Sequence, residues 1–252
     1  MLEVQNLCAG YGEKQVLRDI SVTAAAGEIT TVIGPNGCGK TTLLKSVAGL
    51  LRHTSGQVLV SGEPMLALSS VERARRMAYL AQGRGVPDIT VGRMILHGRF
   101  SHLHYPRHYS KADHEIAASV MASMGLTELA HLPMGELSGG MRQKVYIAMA
   151  LAQQTPVILM DEPTTYLDIA QQRAFGEMMQ ELATQGKALL LVLHDLLLAL
   201  RISHKIVVLS GGTVRFCGTP QELMASPVLG EVYGVEIKSV QTQWGERLFY
   251  DF

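Results

Sequence analysis

Residues 29–42 read Ile29-Thr30-Thr31-Val32-Ile33-Gly34-Pro35-Asn36-Gly37-Cys38-Gly39-Lys40-Thr41-Thr42. The β-branched run from Ile29 to Ile33 predicts a short buried strand, and Gly34-Pro35 ends it because proline cannot donate to a sheet ladder. The residues that follow fit G-x-x-x-x-G-K-[ST], with Gly34, Gly39, Lys40 and Thr41 in the fixed positions. Glycines let successive backbone N–H groups curl around an anion, and the helix expected next aims its positive dipole end at the same point. In that arrangement Lys40 reaches the β- and γ-phosphates of a nucleotide and Thr41 places its hydroxyl on Mg²⁺. Gly34, Asn36, Gly37, Cys38, Gly39, Lys40, Thr41 and Thr42 are the candidate contacts. Leu43, Leu44, Val47 and Ala48 supply an apolar stripe for the helix.

Upstream, Leu2, Val4, Val16, Ile20 and Val22 are spaced for an antiparallel N-terminal sheet, with Gly10-Tyr11-Gly12 as its turn. Tyr11 reads either as a ring that stacks on adenine or as a turn tyrosine. Downstream, Gly49 to Gly56 breaks the pattern, and Gln57 to Gly62 predicts a strand running into a turn. Val71 to Met77 is a basic helical stretch leading to a short strand, Ala78 to Gln82. Gln82 is either an ordinary loop residue or a group that completes a Mg²⁺ shell.

From Val91 to Ala152 the pattern is helical without strands. Ser110 and Asp113 match a capping box, Ile116, Val120 and Met124 continue the apolar face, and Gly125 closes it. The stretch ends at Leu137-Ser138-Gly139-Gly140-Met141-Arg142-Gln143, a helix start that either binds an anion or is simply capped by Ser138. Val157 to Met160 then predicts a buried parallel strand that carries Asp161 and Glu162 out at its C-terminal end, where such sheets bind ligands. Asp161 is placed to hold Mg²⁺ and Glu162 to polarise an attacking water. Leu167-Asp168 follows in a short loop, and Phe175, Met178, Met179 and Leu182 mark an amphipathic helix. A further strand, Ala188 to Leu193, delivers His194 toward the same pocket. A hairpin around Gly211-Gly212, a capped helix at Thr219-Pro220 and a terminal hairpin around Trp244-Gly245 complete the chain.

The 252 residues carry 22 basic and 22 acidic side chains, so nothing suggests a nucleic-acid partner held by counterion release. Cys8, Cys38 and Cys217 form no spaced pair, as suits a reducing cytosol. No secretory signal is visible, and the apolar run Ala188 to Ile202 is too short to span a bilayer.

In joint order, Tyr11, Gly34 to Thr42, Gln82, Leu137 to Gln143, Val157 to Glu162, Leu167-Asp168 and His194 resemble the ATPase subunit of ATP-binding cassette (ABC) transporters. The resemblance implies an α/β fold: a P-loop core with a mainly parallel sheet, an N-terminal antiparallel β subdomain and an inserted α-helical subdomain. One ABC ATPase domain would occupy 1–252, with residues 1–90 and 153–252 as the core and 91–152 as the helical signature part. It also implies ATP and Mg²⁺ as ligands and a head-to-tail homodimer sandwiching two ATP molecules, each between Lys40 of one copy and Ser138, Gly139 and Gly140 of the other. Asp168 joins the nucleotide contacts, and Lys40, Gln82, Glu162 and His194 the catalytic set. Residues 74–82, 98–102 and 164–169 resemble importers of iron–siderophores, haem or cobalamin. Such a subunit sits peripherally at the cytoplasmic face of the membrane, drives a transmembrane permease and meets an extracytoplasmic substrate-binding protein only indirectly. The alternative is a soluble cassette acting as a clamp on nucleic acid or ribosomes. Met141 stands where the signature usually has glutamine, which bears on a ribose-side contact but leaves Ser138 and Gly140 untouched, and Leu197-Leu198 are less polar than usual after the histidine. The stretch from Gly83 to Tyr109 is richer in apolar and aromatic residues than a solvated connection requires. It is expected to meet the permease through Phe100 and Leu103.

Overall fold

The computed structural model describes residues 1–83, 85–242 and 245–251. In chain order the strands and helices are β1 (Leu2–Tyr11), β2 (Lys14–Ala24), β3 (Ile29–Ile33), α1 (Lys40–Val47), β4 (His53–Val60), β5 (Glu63–Pro64), α2 (Ser70–Arg76), β6 (Met77–Leu80), α3 (Val91–Leu96), α4 (Lys111–Ser123) and α5 (Gly139–Ala152). Then come β7 (Val157–Asp161), α6 (Ile169–Thr184), β8 (Ala188–Val192), α7 (Leu196–Ile202), β9 (Lys205–Ser210), β10 (Thr213–Gly218), α8 (Pro220–Met224), α9 (Val228–Tyr233), β11 (Glu236–Thr242) and β12 (Gly245–Asp251).

The central sheet has the order β10-β9-β3-β8-β7-β6, with β10 antiparallel at one edge and the other five strands parallel. Every residue of β3, β7 and β8 is buried. Alternate side chains therefore feed two cores. Ile29, Ile33, Ile158, Met160, Leu189 and Leu191 pack toward the helices of 91–152 and α6, whereas Val32, Leu159, Leu190 and Val192 pack toward α1 and the N-terminal sheet. That second sheet, β2-β1-β4-β5, is antiparallel throughout.

The expected elements are present, with shifted ends. Tyr11 belongs to β1, where it pairs with Lys14, and the turn is Gly12-Glu13. β4 begins at His53 rather than Gln57, because pairing of His53 with Ala9 and Ser55 with Cys8 extends the ladder across residues whose composition marked a break. Met77 is in β6, not the preceding helix. The capping box predicted at Ser110 with Asp113 is formed, and the capped helix expected at Thr219-Pro220 carries one between Thr219 and Glu222. β11 and β12 make the terminal hairpin, and Trp244 in its turn lies outside the described residues.

Candidate active site

β3 delivers the phosphate-binding loop into a position that only small residues tolerate. A Cβ on Gly34 would lie 2.1 Å from the Leu209 carbonyl oxygen and 2.6 Å from Cys38 Sγ. Gly39 has φ 110°, and a Cβ there would come within 2.6 Å of Leu17 Cδ2. Lys40 opens α1 with its side chain buried, and its Nζ donates to the carbonyls of Gly34 at 2.7 Å and Pro35 at 3.0 Å. The ammonium thus stays at the loop mouth by satisfying its own loop. Cys38 turns its side chain into the core beside Val32 and Leu43, where burial pushes the thiol pKa up. Its Sγ lies under Gly34, at the base of the loop.

A cavity of about 620 Å³ lies over this loop. Asn36, Gly37, Gly39, Lys40, Thr41 and Thr42 form one wall, with Val16 beside them, and Gln82, Glu162 and His194 form the other. The register of the sheet explains the second wall. Leu80 pairs with Met160 and Asp161 with Val192, so β6, β7 and β8 end level and release Gln82, Glu162 and His194 side by side. Glu162 takes a positive φ of 51°, and its N–H donates to Val192 O at 3.1 Å. One carboxylate oxygen accepts from Gln82 Nε2 and the other meets His194 Nε2. Thr165 Oγ1 donates to the Glu162 carbonyl at 3.1 Å, which holds this turn.

Asp161 is 1% exposed and neither of its carboxylate oxygens has a hydrogen-bond partner among the described residues. Burial raises its pKa, while the nearby Thr41 side chain, Lys45 and Lys40 pull it down and Glu162 adds to the rise. A buried carboxylate with the Thr41 hydroxyl beside it supplies hard oxygens of the kind that Mg²⁺ takes. The residues present fit that ion.

The signature stretch is placed differently. Ser138 is exposed and caps α5, its Oγ accepting from Met141 N at 3.3 Å. Gly140 sits against the loop before α6, where a Cβ would lie 2.8 Å from Gln171 Oε1 and 3.2 Å from the Tyr166 carbonyl oxygen. Gly139 borders a second cavity of about 400 Å³ that shares Gln82 and Glu162 with the first. Ser138 and Gly140 line neither cavity. Asp168 caps α6, accepting from Gln171 N at 2.8 Å, and Tyr11, 49% exposed at the end of β1, also stands outside the loop cavity.

Two residues were not singled out as site residues by the sequence reading. Thr165 holds the Glu162 turn, and Gln143 Nε2 donates to Pro163 O at 2.9 Å, linking α5 to the residue after Glu162. A hydroxyl three residues beyond Glu162 is a local turn signal. The Gln143 contact joins residues 20 apart in sequence and has no such signal.

A glycine loop with a buried lysine at a helix start, facing a buried aspartate and a glutamate–histidine pair on a parallel sheet, defines a P-loop nucleoside triphosphatase. The ABC transporter family profile matches residues 17–165. The chain is 39% identical over 241 residues to the iron(3+)-hydroxamate import ATP-binding protein FhuC of Bacillus subtilis (strain 168), covering 95% of this chain and 90% of that one. Its fold is similar to that of a protein assigned as a metal-chelate type ABC transporter in an inward-facing conformation, with a TM-score of 0.86, 25% identity and coverage of 99% and 96%. It is also similar to a dimeric ATP-binding cassette in a post-hydrolysis state bound to ADP and Pi, with a TM-score of 0.77, 25% identity and coverage of 87% and 99%. The chain belongs to the ATP-binding subunits of ABC transporters, which bind ATP and hydrolyse it to power transport.

Proposed function

We propose that the chain is the motor subunit of an importer for a metal chelate of the iron–siderophore, haem or cobalamin class. It works as a homodimer against transmembrane permease subunits at the cytoplasmic face of the membrane, and an extracytoplasmic substrate-binding protein reaches it only through the permease. Residues 1–252 act as one ABC ATPase domain, with 91–152 as its helical signature part. The importers and cassettes that the chain is similar to, together with its neutral charge, favour transport over a nucleic-acid or ribosome clamp.

The residues take the following roles. Lys40 exchanges the Gly34 and Pro35 carbonyls for β- and γ-phosphate oxygens, and the N–H groups from Gly37 to Thr42 face the same charge. Thr41 and Asp161 hold Mg²⁺, with Gln82 completing the set; the ion supplies charge neutralisation on the phosphates. Glu162 orients and polarises the attacking water, and His194 positions Glu162 and faces the γ-phosphate. Ser138, Gly139, Gly140 and Asp168 serve the nucleotide of the partner copy, and Tyr11 stacks at the base.

The observation that carries this reading is the Gln82–Glu162–His194 row opposite Lys40 across one cavity. Replacing Glu162 by Gln keeps the shape and removes the base, so ATP turnover should fall ~10²–10⁴-fold while ATP binding persists and an ATP-bound dimer accumulates. Nucleotide binding and single-turnover hydrolysis measure both. Hydrolysis at the parental rate removes Glu162 from the mechanism.

A further inference from the structure

Between Asp88 and Asp113 lie 24 residues without a single carboxylate, 89–112, in a chain whose net charge is zero. The same stretch holds three arginines, one lysine and four histidines. Part of that charge is committed inside the protein. Arg99 is buried against Asp113 at 2.9 Å, and His102 Nε2 is engaged by the Gln153 carbonyl at 3.0 Å. The loop between them and α4 is different. Tyr105 is 97% exposed, and Arg107 lies with its guanidinium 5.0 Å from the centre of the exposed Phe100 ring. Among the described residues Lys111 pairs with Glu115 at 3.6 Å, with 92% of its side chain exposed, a pairing that water and salt leave nearly worthless. Among the described residues no packing explains a phenol in open water two residues before an exposed arginine.

We propose that the loop 103–110, with Lys111 at the start of α4, rests on the anionic phospholipid headgroups that surround the permease. A phenol with an apolar ring and a polar tip suits the headgroup layer, and Arg107 and Lys111 supply attraction to anionic lipid with no carboxylate in the loop to oppose it. A side chain as exposed as Tyr105 can enter a fluid headgroup layer without a preformed pocket. The inference rests on the proposal that this chain docks beneath a membrane permease through Phe100 and Leu103, since the loop continues directly from those residues. Its consequence is an added orientation constraint on the motor that requires no further protein contact.

The test uses the full chain floated with vesicles of phosphatidylcholine alone or of equal parts phosphatidylcholine and phosphatidylglycerol, at low salt. Binding to the anionic vesicles only is expected, and raising the ionic strength should abolish it. Each removed cation should weaken partitioning about fivefold, so R107A with K111A costs about 25-fold, and Y105S weakens it further, with unchanged ATP hydrolysis in detergent. These side chains are exposed, so the variants keep the fold. Equal flotation with both vesicle types, or retention of binding by the double variant, overturns the proposal. So does loss of permease association in lipid-free detergent by the double variant, which would assign the loop to an acidic protein surface. Vesicle binding uses neither nucleotide nor cargo, so its failure leaves the motor assignment standing, and a failed Glu162→Gln test leaves vesicle binding readable.

Discussion

Gly34 illustrates how a single residue is set by its surroundings. Its Cβ position lies 2.1 Å from the backbone oxygen of Leu209, which cannot swing aside as a side chain can. Gly34→Ala should therefore force the loop and β9 apart at a cost of about 1–3 kcal/mol, lowering Tm and weakening ATP binding together. An unshifted Tm would sink the close-approach account. Asp113 offers a second test. It accepts from Arg99 Nε at 2.9 Å and from Ser110 N at 2.9 Å and Ser110 Oγ at 2.7 Å. Burial opposes its charge, but the Ser110 and Arg99 hydrogen bonds outweigh burial and hold its pKa at about 2. A depressed carboxylate contributes stability above its unfolded pKa of ~3.9 and loses that contribution as pH falls through the folded value. Asp113→Asn should consequently lower Tm at neutral pH, and the gap to the parent should close as pH falls toward 2. A gap independent of pH would assign the effect to packing alone.

At the scale of elements, α5 and the segment before α4 show the fold using short contacts to position long pieces. Arg99 also donates to Ala152 O at 3.0 Å and Gln154 Oε1 at 3.2 Å, so one buried guanidinium ties the end of α5 to the start of α4. Gly98 packs so close to α5 that a Cβ would lie 2.2 Å from Met149 O. This anchoring leaves Phe100 outward, 47% exposed, whereas Ile95 is fully buried and Leu103 is half-buried. Ile95 therefore belongs to the core, and Phe100 remains available to the permease. Phe100→Glu or Leu103→Glu should reduce permease association and transport while basal ATPase of the isolated subunit stays near the parental rate. Unaltered transport by both folded variants would move the docking surface elsewhere.

For the whole molecule, the separation of Ser138 from the Lys40 cavity is the feature with the largest consequence. Since Ser138 does not line its own subunit's loop cavity, the phosphate-binding role proposed for it requires a second copy to bring it to the nucleotide. Tyr166, which lies against Gly139, is 65% exposed, and Ile169 at the start of α6 is 87% exposed, apolar surface suited to such a face. Mixing Ser138→Arg subunits with Lys40→Ala subunits should regenerate one intact composite site per heterodimer and recover ATPase activity at up to about half the parental rate. No recovered activity in a verified heterodimer counts against the head-to-tail sandwich.

The sequence by itself determined the strand, glycine loop and helix at 29–47, the buried strands ending at Asp161 and before His194, and the helix starts capped at Ser110 and Thr219. Each of these is a local pattern, in which neighbouring residues carry both the signal and its physical cause. The α/β class was legible for the same reason, and the family from the joint order of these motifs along the chain. Only the tertiary structure decided that Gln82, Glu162 and His194 form one row, because that depends on the register between β6, β7 and β8, and pairing energy there comes from residues about 80 and 30 positions apart. It also decided that Gln143 reaches Pro163, that β4 begins at His53, that Cys38 turns inward and that Tyr11 stays outside the loop cavity. Those outcomes are choices between faces and partners, settled by which side of a strand or loop the two cores already occupy, and a linear pattern contains no term for the opposing surface.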